Sequence, residues 1–139
     1  VSRARLIRLY SLSRTIKLNE IRREAARLAE EIARIDQRLE QVVQLQTGYR
    51  EHLRLPVLSM IEVRGVNDIV GRLNERRQVD SARRDVLETE RVRIAAMLAE
   101  RKRQIEKLEE EERQARRLER AEREAIREAL MPSPRRGPA

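Results

Sequence analysis

The chain has 139 residues, 40% of them charged, with Tyr10 and Tyr49 as its only aromatics and no Trp, Phe or Cys. A compact multilayer core that leans on buried aromatic area is not expected, and without cysteine there is no disulfide framework, which fits a reducing compartment. The net charge of +8, from 32 Lys and Arg against 24 Asp and Glu, is unevenly placed. Arg3, Arg5, Arg8, Arg14 and Lys17 share residues 1–19 with no acid, whereas Glu109–Glu112 is the densest acidic run. That asymmetry suits either an anionic partner or a pairing of basic and acidic segments within the fold.

The N-terminal stretch "VSRARLIRLYSLSR" carries charges throughout and lacks the apolar core of a signal peptide. No uninterrupted apolar run approaches the length of a membrane span. A soluble, cytoplasmic protein is the expectation. Leu6, Leu9, Leu12 and Ile16 are regular, but they fall out of phase with the apolar series that begins at Leu18, so the seam either rotates there or changes partner.

From Leu18, alternating steps of three and four give Leu18, Ile21, Ala25, Leu28, Ile32, Ile35, Leu39, Val42, Gln46, Tyr49 and Leu53. Ten of these eleven positions are apolar, counting Tyr. A repeat averaging 3.5 residues keeps one seam against a partner helix. The first helix is therefore placed at about residues 3–53.

The run "GYREHLRLPVLSMIEVRGVND" (48–68) then interrupts the pattern with Gly48, Pro56 and Gly65. Pro56 is disfavoured inside a helix, and Leu55 before it is steered away from helical geometry. A connector is expected over 54–66, with a short extra helix at 59–64 opened by the Ser59/Glu62 capping pair and ended by Gly65. Asn67 is the expected N-cap of the second helix. Val57, Leu58, Met60, Ile61 and Val63 either close the end of the seam or form an exposed docking tip.

The second helix is expected over about 67–131. Leu87, Ile94, Leu98, Ile105, Leu108 and Ala115 fit one seam, with Arg91, Arg101 and Glu112 at its remaining positions, while the phase drifts around Val79, Ala82 and Val86. Beyond Leu108 the helix is polar on all sides, with candidate i,i+4 pairs Glu109–Arg113, Glu112–Arg116 and Glu119–Arg123. Pro132, Pro134 and Pro138 cannot continue it, and a disordered tail is expected over 132–139.

Neither helix can bury its seam alone, and the interruption is short. The fold expected is all-α: an antiparallel two-helix coiled-coil hairpin forming an elongated rod. A turn centred near Ser59 would set Arg3, Arg5 and Arg8 beside Glu109–Glu112 and leave the end of the second helix overhanging.

The segment "RLIRLYSLSRTIKLNEIRREAARLAEEIARIDQRLEQ", with "LQTGYREHL" (45–53) after it, resembles the opening and first-helix end of the FliJ family of flagellar export proteins, related to the YscO-type proteins of injectisomes. The resemblance covers nearly the whole chain. It implies a non-enzymatic stalk protein that enters a hexameric export ATPase, promotes its assembly and activity, and links it to the cytoplasmic domain of the export gate. Export chaperones are further implied partners, with peripheral membrane association arising through partners. The family's gate-binding stripe falls on Ile69, Leu73, Arg76 and Asp80, of which Ile69 and Leu73 keep the apolar character; ordinary seam packing is the other reading of those two.

The helical ends that meet the ATPase would carry Arg3, Arg5, Arg8, Arg14, Arg116, Arg117, Arg120, Arg123 and Arg127. A stiff helical end with charged flanks suits acidic subunit surfaces; a solvated face is the better reading of any single arginine, and it is the cluster that argues for a partner.

Catalysis has little to stand on: one histidine (His52), no Cys, no glycine-rich phosphate loop and no metal-ligand spacing. No cofactor, catalytic residue, metal ligand or small-molecule substrate is expected. Nucleic-acid binding is the main competing class, since a basic helix running into heptads outlines a basic zipper. In "NEIRREAAR" (19–27), however, the two alanines come six and seven residues after Asn instead of three and four, and Glu20 and Glu24 interrupt the basic face. No specific nucleic acid is therefore expected. A passive coiled-coil scaffold is a further alternative. So is an interfacial membrane helix at 3–17, which no Trp or Phe would anchor.

Overall fold

The computed structural model describes residues 2–131; the tail expected at 132–139 lies outside them. The described chain is all-helical, with two long helices packed against each other: α1 (Arg3–His52) and α2 (Met60–Leu130). Their residues fall into two compact units, unit 1 from Val1–Glu20 with Leu98–Ala139 and unit 2 from Ile21–Met97.

Each helix starts on a serine. Ser2 Oγ accepts the Arg5 N–H at 3.2 Å, and Ser59 Oγ accepts the Glu62 N–H at 3.1 Å. These bonds satisfy donors that a helix start leaves without intrahelical partners. At the other end of α1 the backbone tightens into i,i+3 bonds, Arg54 N–H to Glu51 O and Leu55 N–H to His52 O, before Pro56.

The connector is shorter than the sequence suggests. α2 begins at Met60, not near residue 67, and the expected stop at Gly65 and cap at Asn67 are both helix interior. No described glycine has a positive φ, so Gly65 supplies no left-handed stop. Val66 is buried, and that packing carries the helix across the weak formers Gly65 and Asn67.

In unit 2, the buried positions of α1 are Ile32, Ile35, Val42 and Gln46, with Ile21, Ala25, Leu28, Leu39 and Tyr49 half-buried, as is Leu53 just past the helix end. These match the three-and-four series read from the sequence. On α2 the facing positions are Val63, Val66, Val70, Leu73, Asp80, Leu87 and Ile94. Ile35 and Ile94 are the largest fully buried side chains. Where the phase drifts, Asp80 turns inward while Val79, Ala82 and Val86 stay exposed. Glu31 meets Arg83 and Arg38 meets Asp80, so numbers fall along one helix as they rise along the other. Of the apolar side chains expected in the connector, Leu58 and, in the first turn of α2, Val63 are half-buried, whereas Val57 and Ile61 are 87% and 84% exposed.

In unit 1, the seam keeps its phase by using small residues. Ala4, Ser11 and Leu18 of α1 are buried, as are Ile105 and Ala115 of α2. Leu6, Leu9, Leu12 and Ile16 are all exposed, so the N-terminal leucines neither rotate the seam nor build it. Every residue from Arg120 to Met131 is exposed.

Candidate protein-binding surfaces

The basic cluster of unit 1 is organised by the start of α1. That first turn contains no acid. Glu119 of α2 takes the role, its Oε1 accepting the Ala4 N–H at 3.3 Å. A carboxylate there both satisfies an orphan donor and complements the positive end of the helix dipole. This contact sets the local register and overturns the expected neighbourhood of Arg3, Arg5 and Arg8. Arg5 and Arg8 share a groove with Arg116 and Glu119, not with Glu109–Glu112.

Two acids of the run Glu109–Glu112 are answered within their own helix. Glu110 binds Arg113 three residues on, at 2.5 Å, and Glu112 binds Arg116 at 2.6 Å. The Arg113 hydrogen bond holds the Glu110 carboxyl below its ordinary pKa. Glu111 lies in a second groove with Tyr10, Arg14, Gln104, Lys107 and Leu108. Arg14 is half-buried, its Nε donating to the Tyr10 hydroxyl at 3.1 Å and its guanidinium carbon 5.0 Å from the ring centroid. Arg3, Arg5, Arg8, Arg116, Arg117, Arg120, Arg123 and Arg127 are exposed. All nine arginines singled out from the sequence therefore belong to unit 1, and Arg14 is the one turned partly inward.

The second candidate surface, Ile69, Leu73, Arg76 and Asp80, belongs to unit 2, and the structure splits it. Ile69 and Arg76 are exposed and Leu73 is half-buried in the seam. Asp80 is 2% exposed and is corrected from a surface residue to a seam residue. Its carboxylate lies 3.4 Å from Arg76 Nε and 3.7 Å from Arg38 Nη2, so it anchors Arg76 from beneath. The drift of apolar phase near Val79 was the only sequence signal of this inversion.

Two exposed ion pairs bridge the helices alongside, Arg83 to Glu31 and Arg84 to Asp36. Hydrogen bonding to those carboxylates raises both arginine pKa values above the ordinary one.

Sequence reasoning passed over a third surface. Gln41, Gln44, Leu45, Gly48, Tyr49, His52 and Val66 line an open, uncharged groove in unit 2. Added to Gly48, a Cβ would meet nothing within 4 Å. The signal was legible as an uncharged stripe of α1 in a chain that is 40% charged. His52 is exposed at the end of α1.

Among the described residues, no group of three His, Cys, Asp or Glu side chains could hold a metal ion. No described helix is long and apolar enough to cross a membrane. No family model, curated protein or solved structure matches the chain.

Proposed function

We propose that this chain is an antiparallel two-helix coiled coil that serves, without catalysis of its own, as the stalk of a flagellar or type III export ATPase. The observation that carries the reading is the grouping in unit 1 of exposed arginines from both helices, Arg5 and Arg8 beside Arg116. The nearby acids Glu110 and Glu112 are engaged by Arg113 and Arg116. The start of α1, which carries Arg3, Arg5, Arg8, Arg14 and Lys17 before its first acid, is suited to the acidic interior of a ring of subunits.

The three-and-four seam, with Ile35 and Ile94 fully buried, supports the coiled-coil assignment. Ile69 and Arg76 are the exposed members of the stripe that would meet the export gate, with Asp80 holding Arg76 in place. Chaperone escort belongs to the same proposal.

The test is to capture partners from a lysate of the source cell, identify any ATPase among them, and measure its hydrolysis with added chain. Stimulation that is lost in an Arg5→Glu/Arg8→Glu variant supports the stalk. Recovery of nucleic acid alone, with no ATPase responding, overturns it.

A further inference from the structure

We propose that the outward face of α1 between Leu6 and Ile16 binds an anionic lipid surface directly, lying along it, independently of any protein partner. The inference goes beyond the stalk reading and does not rest on it. Leu6, Leu9, Leu12 and Ile16 are each more than half exposed, because Ala4, Ser11 and Leu18 occupy the seam on the opposite side of the helix. Four large aliphatic side chains on one short face are costly to leave in water. None of the four is buried in the seam of unit 1; Leu9 and Leu12 border the groove with Arg116 and Glu119 and still leave about half of their surface in water.

The charges around this face decide what covers it. At 3.6 residues per turn, Arg8 flanks the aliphatic face on one side, Arg3 and Lys17 flank it on the other, and Arg5 emerges within it between Leu12 and Ile16. The first acid along α1 is Glu20, beyond the face. On α2, Glu119 is turned to the Ala4 N–H, and Glu111 lies in the groove with Tyr10 and Arg14. Methyl groups on the outermost line with cations along both edges suit an interface: the aliphatic groups enter below the headgroups while the cations reach back to phosphate. Tyr10, half exposed at the edge, has the amphipathic ring favoured at that depth. Nucleic acid would use the arginines but has no use for the leucines. A protein groove would need acidic rims matched to both edges, which an anionic leaflet supplies at every orientation.

Flotation of the full chain with vesicles tests this, using phosphatidylcholine containing about one-third phosphatidylserine against phosphatidylcholine alone. Binding is expected to the anionic vesicles only, weakening severalfold as salt is raised. Arg5→Gln and Arg8→Gln should each cost about fivefold in affinity. Leu9→Ser with Leu12→Ser should cost at least about tenfold, with the circular dichroism spectrum unchanged because both positions lie off the seam.

Equal binding to neutral vesicles, or no binding to either kind, overturns the proposal. So does full retention of anionic binding by the Leu9/Leu12 variant, which would leave only a basic patch. ATPase stimulation measured without lipid reports separately on the stalk reading.

Discussion

The Arg38 guanidinium stands 3.7 Å from the Asp80 carboxylate across the two helices of unit 2, and Arg76 approaches the same group from one turn back at 3.4 Å. A carboxylate in an apolar seam is a poor source of stability and a good source of register. A slipped alignment would carry Asp80 away from Arg38 and leave the buried carboxylate with Arg76 alone. Replacing Asp80 by Leu is expected to leave stability unchanged or higher, while permitting a second alignment or oligomer. Removing both Arg38 and Arg76 should instead destabilise by about 2 kcal/mol, because the buried charge loses its compensation. Urea denaturation and analytical ultracentrifugation of the two variants separate the outcomes.

Gln46 is the other buried polar side chain in the unit 2 seam. It is 2% exposed, and its Nε2 has no hydrogen-bond partner. Gln46→Leu should stabilise by about 1–2 kcal/mol, since an unsatisfied buried donor is removed and an aliphatic group replaces it. A loss of stability in that variant would mean the amide is satisfied in solution.

Ile35 and Ile94 are the most completely buried side chains, at 0% and 1% exposure. Either one changed to Ala should cost about 2–4 kcal/mol. Ile61→Ala, on the exposed connector side, should change stability by no more than about 0.5 kcal/mol. Equal effects at the two kinds of site would contradict the assignment of the seam.

Gly65 has nothing within 4 Å of an added Cβ and a helix-compatible φ. Gly65→Ala should therefore stabilise α2 by about 0.5–1 kcal/mol, through backbone entropy alone. Were Gly65 a helix stop, as its sequence neighbourhood suggests, the same change would destabilise.

Glu88, Glu90 and Glu110 all have pKa values lowered from 4.5, each first by a hydrogen bond from Arg91, Arg93 or Arg113 three residues on. A depressed carboxylate stabilises the fold above its unfolded value, and that contribution is lost as pH falls through the folded value. Thermal stability is thus expected to decline as pH drops below about 4.5. These carboxylates sit at the surface in contact with solvent, so the decline should be shallow and should flatten in high salt. An Arg91→Ala/Arg93→Ala/Arg113→Ala variant should show a still shallower slope.

Much of unit 2 was legible in the sequence because its seam uses large aliphatic residues at unbroken spacing, from Ile21 to Leu53. Gln46 was visible as the one polar position in that series. Three features were hidden, each for a physical reason. The start of α2 was misplaced because Gly65 and Asn67 are weak helix formers by propensity, and tertiary burial of Val66 outweighs them. The α2 side of the unit 1 seam, with Ile105 and Ala115, was legible, but the α1 side before Leu18 was not, because Ala4 and Ser11 are too small to register as an apolar repeat while the conspicuous leucines stay exposed. The position of Asp80 could not be read because a carboxylate is assigned to the surface unless its cations are known, and Arg38 lies on the other helix.

The small residues at Ala4, Ser11 and Ala115 have a mechanical consequence. Each turn of that seam removes little hydrocarbon from water, so unit 1 coheres less strongly per turn than the stretch holding Ile35 and Ile94. Under load or thermal agitation the two strands of the zipper should part first where the teeth are shallow, and amide exchange should quicken there before any change is felt around Ile35.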